Sequence, residues 1–167
     1  RDRLRSGGGN PDYHFAVGLV LAGKGKLEEA VEQLQTLIEL DKDYALRVLA
    51  FTKIFLVPEA GRGVWEFFGL LYERHAQLVK AQECFERCLQ LQPDDRALLE
   101  RIAQLCHRSN RDQEALAWYD KLLRLKPDDA AIIRKMLALM QQHNLVDGML
   151  PLYEKLRAYE PDNIEDQ

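Results

Sequence analysis

The feature that most constrains this chain is a proline that recurs every 34 residues. Pro93, Pro127 and Pro161 each head a near-copy of one short motif, in which acidic or amide residues follow the proline. Strict periods of this size mark arrays of a repeated supersecondary unit. Proline ends the preceding helix because it lacks an N–H donor, and an aspartate after it can cap the next helix. The spacing therefore predicts a repeat of helix, turn, helix, turn.

Within the repeat, apolar residues recur at helical spacing and predict two amphipathic helices. The two stripes contain, in order, Trp65, Phe68, Gly69 and Tyr72, then Ala81, Phe85 and Cys88. Because Gly69 and Ala81 lack bulk, the helices can approach closely while the aromatic rings pack around the contact. One pair leaves apolar faces uncovered, so we expect further pairs to stack on it.

These residues resemble the tetratricopeptide repeat family, which sets aromatic, small and proline residues at fixed offsets. The copy at residues 62–95 matches best, and those at 96–129 and 130–163 match by residue class, although Leu137 and Met149 fill small positions in the last. The signature residues are Trp65, Gly69, Tyr72, Ala81, Phe85 and Pro93, then Ala115, Tyr119 and Pro127, then Tyr153 and Pro161.

The resemblance implies an all-α, right-handed helical-repeat solenoid of about four units spanning residues 11–163. A degenerate first unit fills residues 11–44, with His14 in place of the tryptophan. About half a repeat is then inserted, and its residues 45–57 predict an extra helix that is apolar on almost every side. Such a helix must be covered, either within this chain or by a partner. Residues 1–10 are interpreted as a flexible arm or an engineered linker, and residues 164–167 as a tail.

Composition excludes several classes of function. The net charge of −4 has the wrong sign for a general nucleic-acid binder, and no block of five Lys or Arg occurs. No apolar run approaches the roughly 20 residues that span a bilayer, and no secretory signal is present. The three cysteines fall inside apolar helical patterns, which favours a reducing, cytoplasmic location.

No pattern predicts catalysis, a cofactor or a metal. The serines are not in a Gly-x-Ser-x-Gly motif, and no phosphate-binding loop follows a strand. Cys84, Cys88, Cys106 and His107 have a spacing that invites a zinc interpretation. However, Cys88 and Cys106 occupy packing positions, and buried cysteine behaves as a small apolar residue. We therefore expect a protein that is not an enzyme.

The resemblance also implies a binding surface on the first helix of each pair. In this family, side chains just beyond the packing stripe line the concave face. At these offsets the sequence places Glu66, Leu70, Glu73 and Arg74, then Glu100, Gln104, His107 and Arg108, then Arg134, Ala138, Gln141 and Gln142, with Phe15 and Leu19 in the first unit.

The cations and amides with which family members clamp a chaperone's C-terminal carboxylate are absent at these offsets, and Glu66 and Glu100 would repel a carboxylate. We therefore expect an adaptor or scaffold that binds another protein, as a peptide or helix with basic and polar side chains, within a larger protein or assembly. Two alternatives stay open: a regulatory or targeting segment of a larger enzyme, and a structural spacer in a complex. Self-association through the uncapped helix predicted at 146–159, or through the 45–57 helix, is also open.

Overall fold

The computed structural model describes residues 9–159, and all regular structure within this range is helical. Pro161 and the predicted tail lie outside the described residues. The helices are α1 (Pro11–Gly23), α2 (Leu27–Leu40), α3 (Tyr44–Ala50), α4 (Arg62–Arg74), α5 (Leu78–Leu91), α6 (Arg96–Arg108), α7 (Asp112–Leu125), α8 (Ala130–Gln142) and α9 (Met149–Tyr159). The chain divides into two compact units, unit 1 at Arg1–Leu91 and unit 2 at Gln92–Gln167.

The turn inside each helix pair has the same backbone geometry. Gly25, Ala76, Asn110 and Asn144 all adopt left-handed conformations, with φ between 54° and 75°. In each turn, the N–H of the next residue bonds to the carbonyl five residues earlier, as Gln77 N does to Tyr72 O at 2.9 Å. This bond satisfies a carbonyl that the helix end would leave without a partner. The sequence period is therefore repeated in the backbone of the turns.

Aspartates start the first helix of the later pairs. The Asp95 carboxylate accepts the N–H of Leu98 at 3.1 Å, and the Asp129 carboxylate accepts the N–H of Ile132 at 3.3 Å. Each is the second acid after a repeat proline and the N-cap of its helix. The prediction that an aspartate after the proline caps the next helix is confirmed.

Helices α4 and α5 of unit 1 form the closely packed pair that the sequence predicts. Helices α4 and α5 pack along their length, and Phe68, Ala81 and Phe85 are fully buried between them. A Cβ atom at Gly69 would lie 2.5 Å from Cε1 of Phe85. The absence of a side chain at Gly69 therefore lets the phenyl ring sit directly on the α4 backbone.

The inserted segment is predicted as one helix over residues 45–57, but the structure divides it into two shorter elements. Helix α3 ends at Ala50, and a 3₁₀ turn follows at Thr52–Ile54. The Thr52 carbonyl accepts N–H groups from both Phe55 and Leu56, at 2.9 and 2.8 Å, which tightens the chain. Pro58 then disfavours helical backbone at the residue before it. The extra helix exists, but it is half as long as predicted.

The rest of unit 1 covers the insert only in part. Val48 and Phe55 are fully buried, and the Phe55 ring lies 5.3 Å from that of Phe68 in α4. In contrast, Leu46 is 61% exposed and Ile54 is 41% exposed. The insert therefore covers unit 1 with one side while its other apolar side chains reach the surface.

In unit 2, α6 and α7 pack closely, whereas α8 and α9 make a much sparser contact. The last helix begins at Met149, whereas the sequence pattern predicts a start near residue 146. Gly148 has φ 91°, and the preceding residues form turns. A start at Met149 keeps Pro151 in the first helical turn, where its missing N–H costs no hydrogen bond. A longer helix would have placed this proline in its interior.

Candidate functional site

The first helices of unit 2 are joined by two ion pairs. Arg96 in α6 bonds to Asp129, the N-cap of α8, and Lys135 in α8 bonds to Glu100 in α6. These bonds connect the two helices. The predicted binding residues that are exposed on them, called the first-helix face, are Gln104, His107 and Arg108 of α6 with Arg134, Ala138 and Gln141 of α8.

Glu100 has a structural role that the sequence does not indicate. Its carboxylate bonds to the Lys135 ammonium and accepts a weaker bond from the Gln104 amide at 3.3 Å. The bond to Glu100 raises the pKa of Lys135, so the ammonium group stays protonated. Lys135 offsets the charge that we expected to repel a carboxylate ligand.

At the other end of this face, Asp112 lies between two histidines. Its two carboxylate oxygens accept hydrogen bonds from His107 Nδ1 and His143 Nε2, which belong to the ends of α6 and α8. The bond from His107, joined by that from His143, lowers the pKa of Asp112 against the opposing effect of burial. Sequence reasoning missed Asp112. The available signal was its place as first residue of α7, directly after the α6 turn.

Unit 1 holds a different kind of surface, a cleft between α2 and α4. Its cavity is about 240 Å³ in volume. The side chains that line it, which define the Leu70 cleft, are Gln35, Ile38 and Glu39 of α2 with Phe67, Leu70, Leu71 and Arg74 of α4. Two of the predicted binding residues, Leu70 and Arg74, are thus brought together, whereas Glu66 and Glu73 do not line the cavity.

The remaining lining residues escaped the sequence analysis. Phe67 occupies the repeat position that holds Arg101 and Lys135 in the later units, so an apolar residue there was the available signal. The α2 residues were invisible because only first helices were considered. Glu66 makes an ion pair with Arg62 at 3.5 Å within α4.

Two residues were predicted to line a surface in the first unit: Leu19 is partly exposed and does not line the Leu70 cleft, and Phe15 is buried. Phe15 is 6% exposed, because Phe51 of the insert and Tyr44, just before the insert, pack on it with ring centroids 5.4 and 6.3 Å away. The Arg47 guanidinium lies 4.7 Å from the Phe15 centroid. The expectation that Phe15 lines a binding surface is therefore wrong, because the insert covers it.

Little among residues 9–159 indicates a metal site or a reactive side chain. No three His, Cys, Asp or Glu side chains of that range are grouped to hold a metal ion. Burial, with Cys88 nearby, raises the pKa of Cys84 to about 12, which keeps this thiol in the protonated form that binds metals poorly. Ser109 donates its hydroxyl to the Leu105 carbonyl within its own helix. In the same range, no helix has the length and apolar character needed to cross a membrane.

Comparison with known proteins gives a consistent family and fold. Residues 68–130 and 11–44 match two family models, both described as tetratricopeptide repeat, and together they cover more than half of the chain. No curated protein sequence matches the chain significantly. A solved structure from Bacteroides ovatus aligns with TM-score 0.59 at 20% identity, covering 91% of this chain and 87% of that one. MamA aligns with TM-score 0.54 at 14% identity, covering 95% and 77%. The predicted all-α helical-repeat solenoid class is confirmed.

Proposed function

Because this chain belongs to the tetratricopeptide repeat family, we propose that it is a protein-interaction scaffold that holds a partner peptide or helix on the first helices of its repeats. The supporting observation is the first-helix face of unit 2. There the two ion pairs fix α6 and α8 in register, while amides and guanidinium groups stay exposed along both helices. Helices that present polar groups from a folded backbone are suited to recognition, because little backbone freedom is lost on binding.

The charges revise the chemistry of the partner that the sequence suggested. We expected basic and polar side chains, because Glu66 and Glu100 would repel a carboxylate, but Lys135 offsets the charge of Glu100. Gln104 and Gln141 carry exposed side chains on the same two helices, and an amide can both donate and accept hydrogen bonds. At unit 2 we therefore favour a partner segment with polar side chains.

The experiment is affinity capture followed by mass spectrometry, with the wild type and two variants. Arg134→Glu reverses a charge on the first-helix face, and Arg124→Glu makes the same change on the exposed side of α7. The proposal expects the same partner to be lost, or weakened about tenfold, with Arg134→Glu alone. A partner retained equally by all three proteins would instead favour the structural-spacer alternative. If the captured material includes a longer form of this protein that carries a catalytic domain, the alternative that the chain is a segment of an enzyme would be favoured.

A further inference from the structure

We propose that the Leu70 cleft of unit 1 receives one apolar side chain of a partner peptide, with an acidic residue beside it at Arg74 and a basic residue on its other side at Glu39. This inference rests on the proposed function and specifies the ligand chemistry at one end of the chain. It differs from the recognition proposed for unit 2, where the exposed residues are polar.

The interior of the cleft has the composition of an anchor pocket. Ile38 of α2 faces Phe67, Leu70 and Leu71 of α4, and only Leu71 is counted among the buried core residues. The other three are partly exposed, so apolar surface stays in contact with water. Covering this surface with an apolar side chain would be favourable, because it removes apolar area from water.

The size of the cavity favours a side chain over a small molecule. Its volume of about 240 Å³ falls below the roughly 300–1,000 Å³ of typical small-molecule pockets. The cavity is also open to solvent between two helices, as a peptide-binding surface requires. An anchor residue from a longer segment can fill it while the neighbouring residues of the peptide rest on its edges.

The charged groups at the edges make the site directional. Arg74 lies on the α4 wall and Glu39 on the α2 wall, and neither forms an ion pair with the other or elsewhere in the described part of the chain. The cleft therefore offers one cation and one anion on opposite sides of an apolar centre. A peptide with complementary charges, an acid that faces Arg74 and a base that faces Glu39, would be bound in one orientation.

The probe for the test is a displayed library of random twelve-residue peptides, selected on the whole chain. Enriched peptides are synthesised, and their affinities are measured by fluorescence anisotropy. We expect enrichment of an aromatic or branched aliphatic residue with an acid on one side and a base on the other. Replacement of the anchor in the peptide by serine should weaken binding about tenfold or more.

Two protein variants locate the binding. Leu70→Arg fills the cleft with a charged side chain and should weaken the selected peptides about tenfold or more. Val79→Arg is the matched control, since Val79 is an exposed apolar residue of α5 outside the cleft, and it should leave the affinity unchanged. Thermal melts by circular dichroism verify that both variants fold. If Leu70→Arg does not fold, Leu70→Ala replaces it and should weaken binding in the same direction.

Charge reversal tests the orientation. Arg74→Glu should weaken peptides that carry the acid, and changing that acid to lysine in the peptide should restore their affinity. Lys53→Glu, on the exposed surface of the insert, should have no such effect. Failure of the swapped peptide to recover would overturn the assignment of the acid to Arg74.

The outcomes separate this inference from the broader proposal. Enriched peptides that still bind Leu70→Arg at full strength, but lose affinity with Arg134→Glu, would overturn the Leu70 cleft and leave the scaffold function intact. Absence of any enriched peptide would contradict both. If light scattering shows a dimer that Leu70→Arg converts to a monomer, the cleft is filled by a second copy of the chain, and the peptide assignment is wrong.

Discussion

The second helix pair, α4–α5, and the last described pair, α8–α9, have the same place in the repeat but pack differently. The α4–α5 pair is joined along its length, whereas the described part of α9 touches α8 sparsely. Three matched positions explain the difference. Gly69, Ala81 and Phe85 of α4–α5 correspond to Leu137, Met149 and Tyr153 of α8–α9. The period sets where helices occur, while small residues decide how closely they pack.

The largest expected effect is at the aromatic position of this comparison. Phe85 is fully buried, so Phe85→Ala should lower the free energy of unfolding by about 3–5 kcal/mol. Tyr153 is 40% exposed and accepts a hydrogen bond from Gln141 at 2.7 Å. Tyr153→Ala should therefore cost about 1 kcal/mol or less. Urea unfolding measures both, and equal losses would show that the last pair is as closely packed as the second.

The next effect tests the close approach itself. Gly69→Ala introduces a methyl group that would lie 2.5 Å from Cε1 of Phe85, which should cost about 1–3 kcal/mol through overpacking. Gly63→Ala in the same helix is the control, because a Cβ atom there has no neighbour within 4 Å. The control should be neutral or stabilising, since alanine favours a helix. If the two variants melt at the same temperature, the ring does not sit on the α4 backbone.

A smaller effect of opposite sign is expected at the turn of the second pair. Ala76 has φ 56°, at the position where the other turns use Asn110, Asn144 or glycine. Left-handed backbone is strained for alanine, so Ala76→Gly should raise the free energy of unfolding by about 1 kcal/mol. Ala16→Gly, at an exposed site within α1, should lower it by about 1 kcal/mol. A loss of stability in both variants would mean that the turn is not left-handed.

The repeat pattern predicted the order of helices and the capping aspartates because each depends on local chemistry. Proline and aspartate act on the backbone beside them, wherever the helix later packs. Features that depend on contacts between distant segments were missed or wrong. Examples are the insert that buries Phe15, the pairing of Glu100 with Lys135, and the α2 wall of the Leu70 cleft. The partners of the charged residues at these sites lie on helices distant in sequence, which the repeat pattern does not identify.

The smallest of the four effects concerns how the sparse last pair is attached. Asp112 binds His143 at the end of α8, and the pKa of Asp112 is lowered in the folded chain relative to its ordinary value. A carboxyl group with a lowered pKa adds stability that is complete above its unfolded pKa of about 3.9 and is lost as the pH falls through the folded value. Asp112→Asn removes this contribution, so the gap in stability between wild type and variant should stay constant from about pH 6 to about pH 5 and narrow as the pH falls from about 4 to about 3.

Urea unfolding across this pH range measures the gap, and hydrogen exchange of the α8 and α9 amides shows whether it arises there. Asp120→Asn is the control, because Asp120 pairs only with the highly exposed Arg124 on its own helix among the interactions of the described residues. Exposed pairs of this kind contribute little. A wild type and an Asp112→Asn variant that keep a constant difference at every pH would exclude the Asp112 bridge as the attachment. The two ion pairs with α6 and the packing against α7 would then be what holds α8 in place.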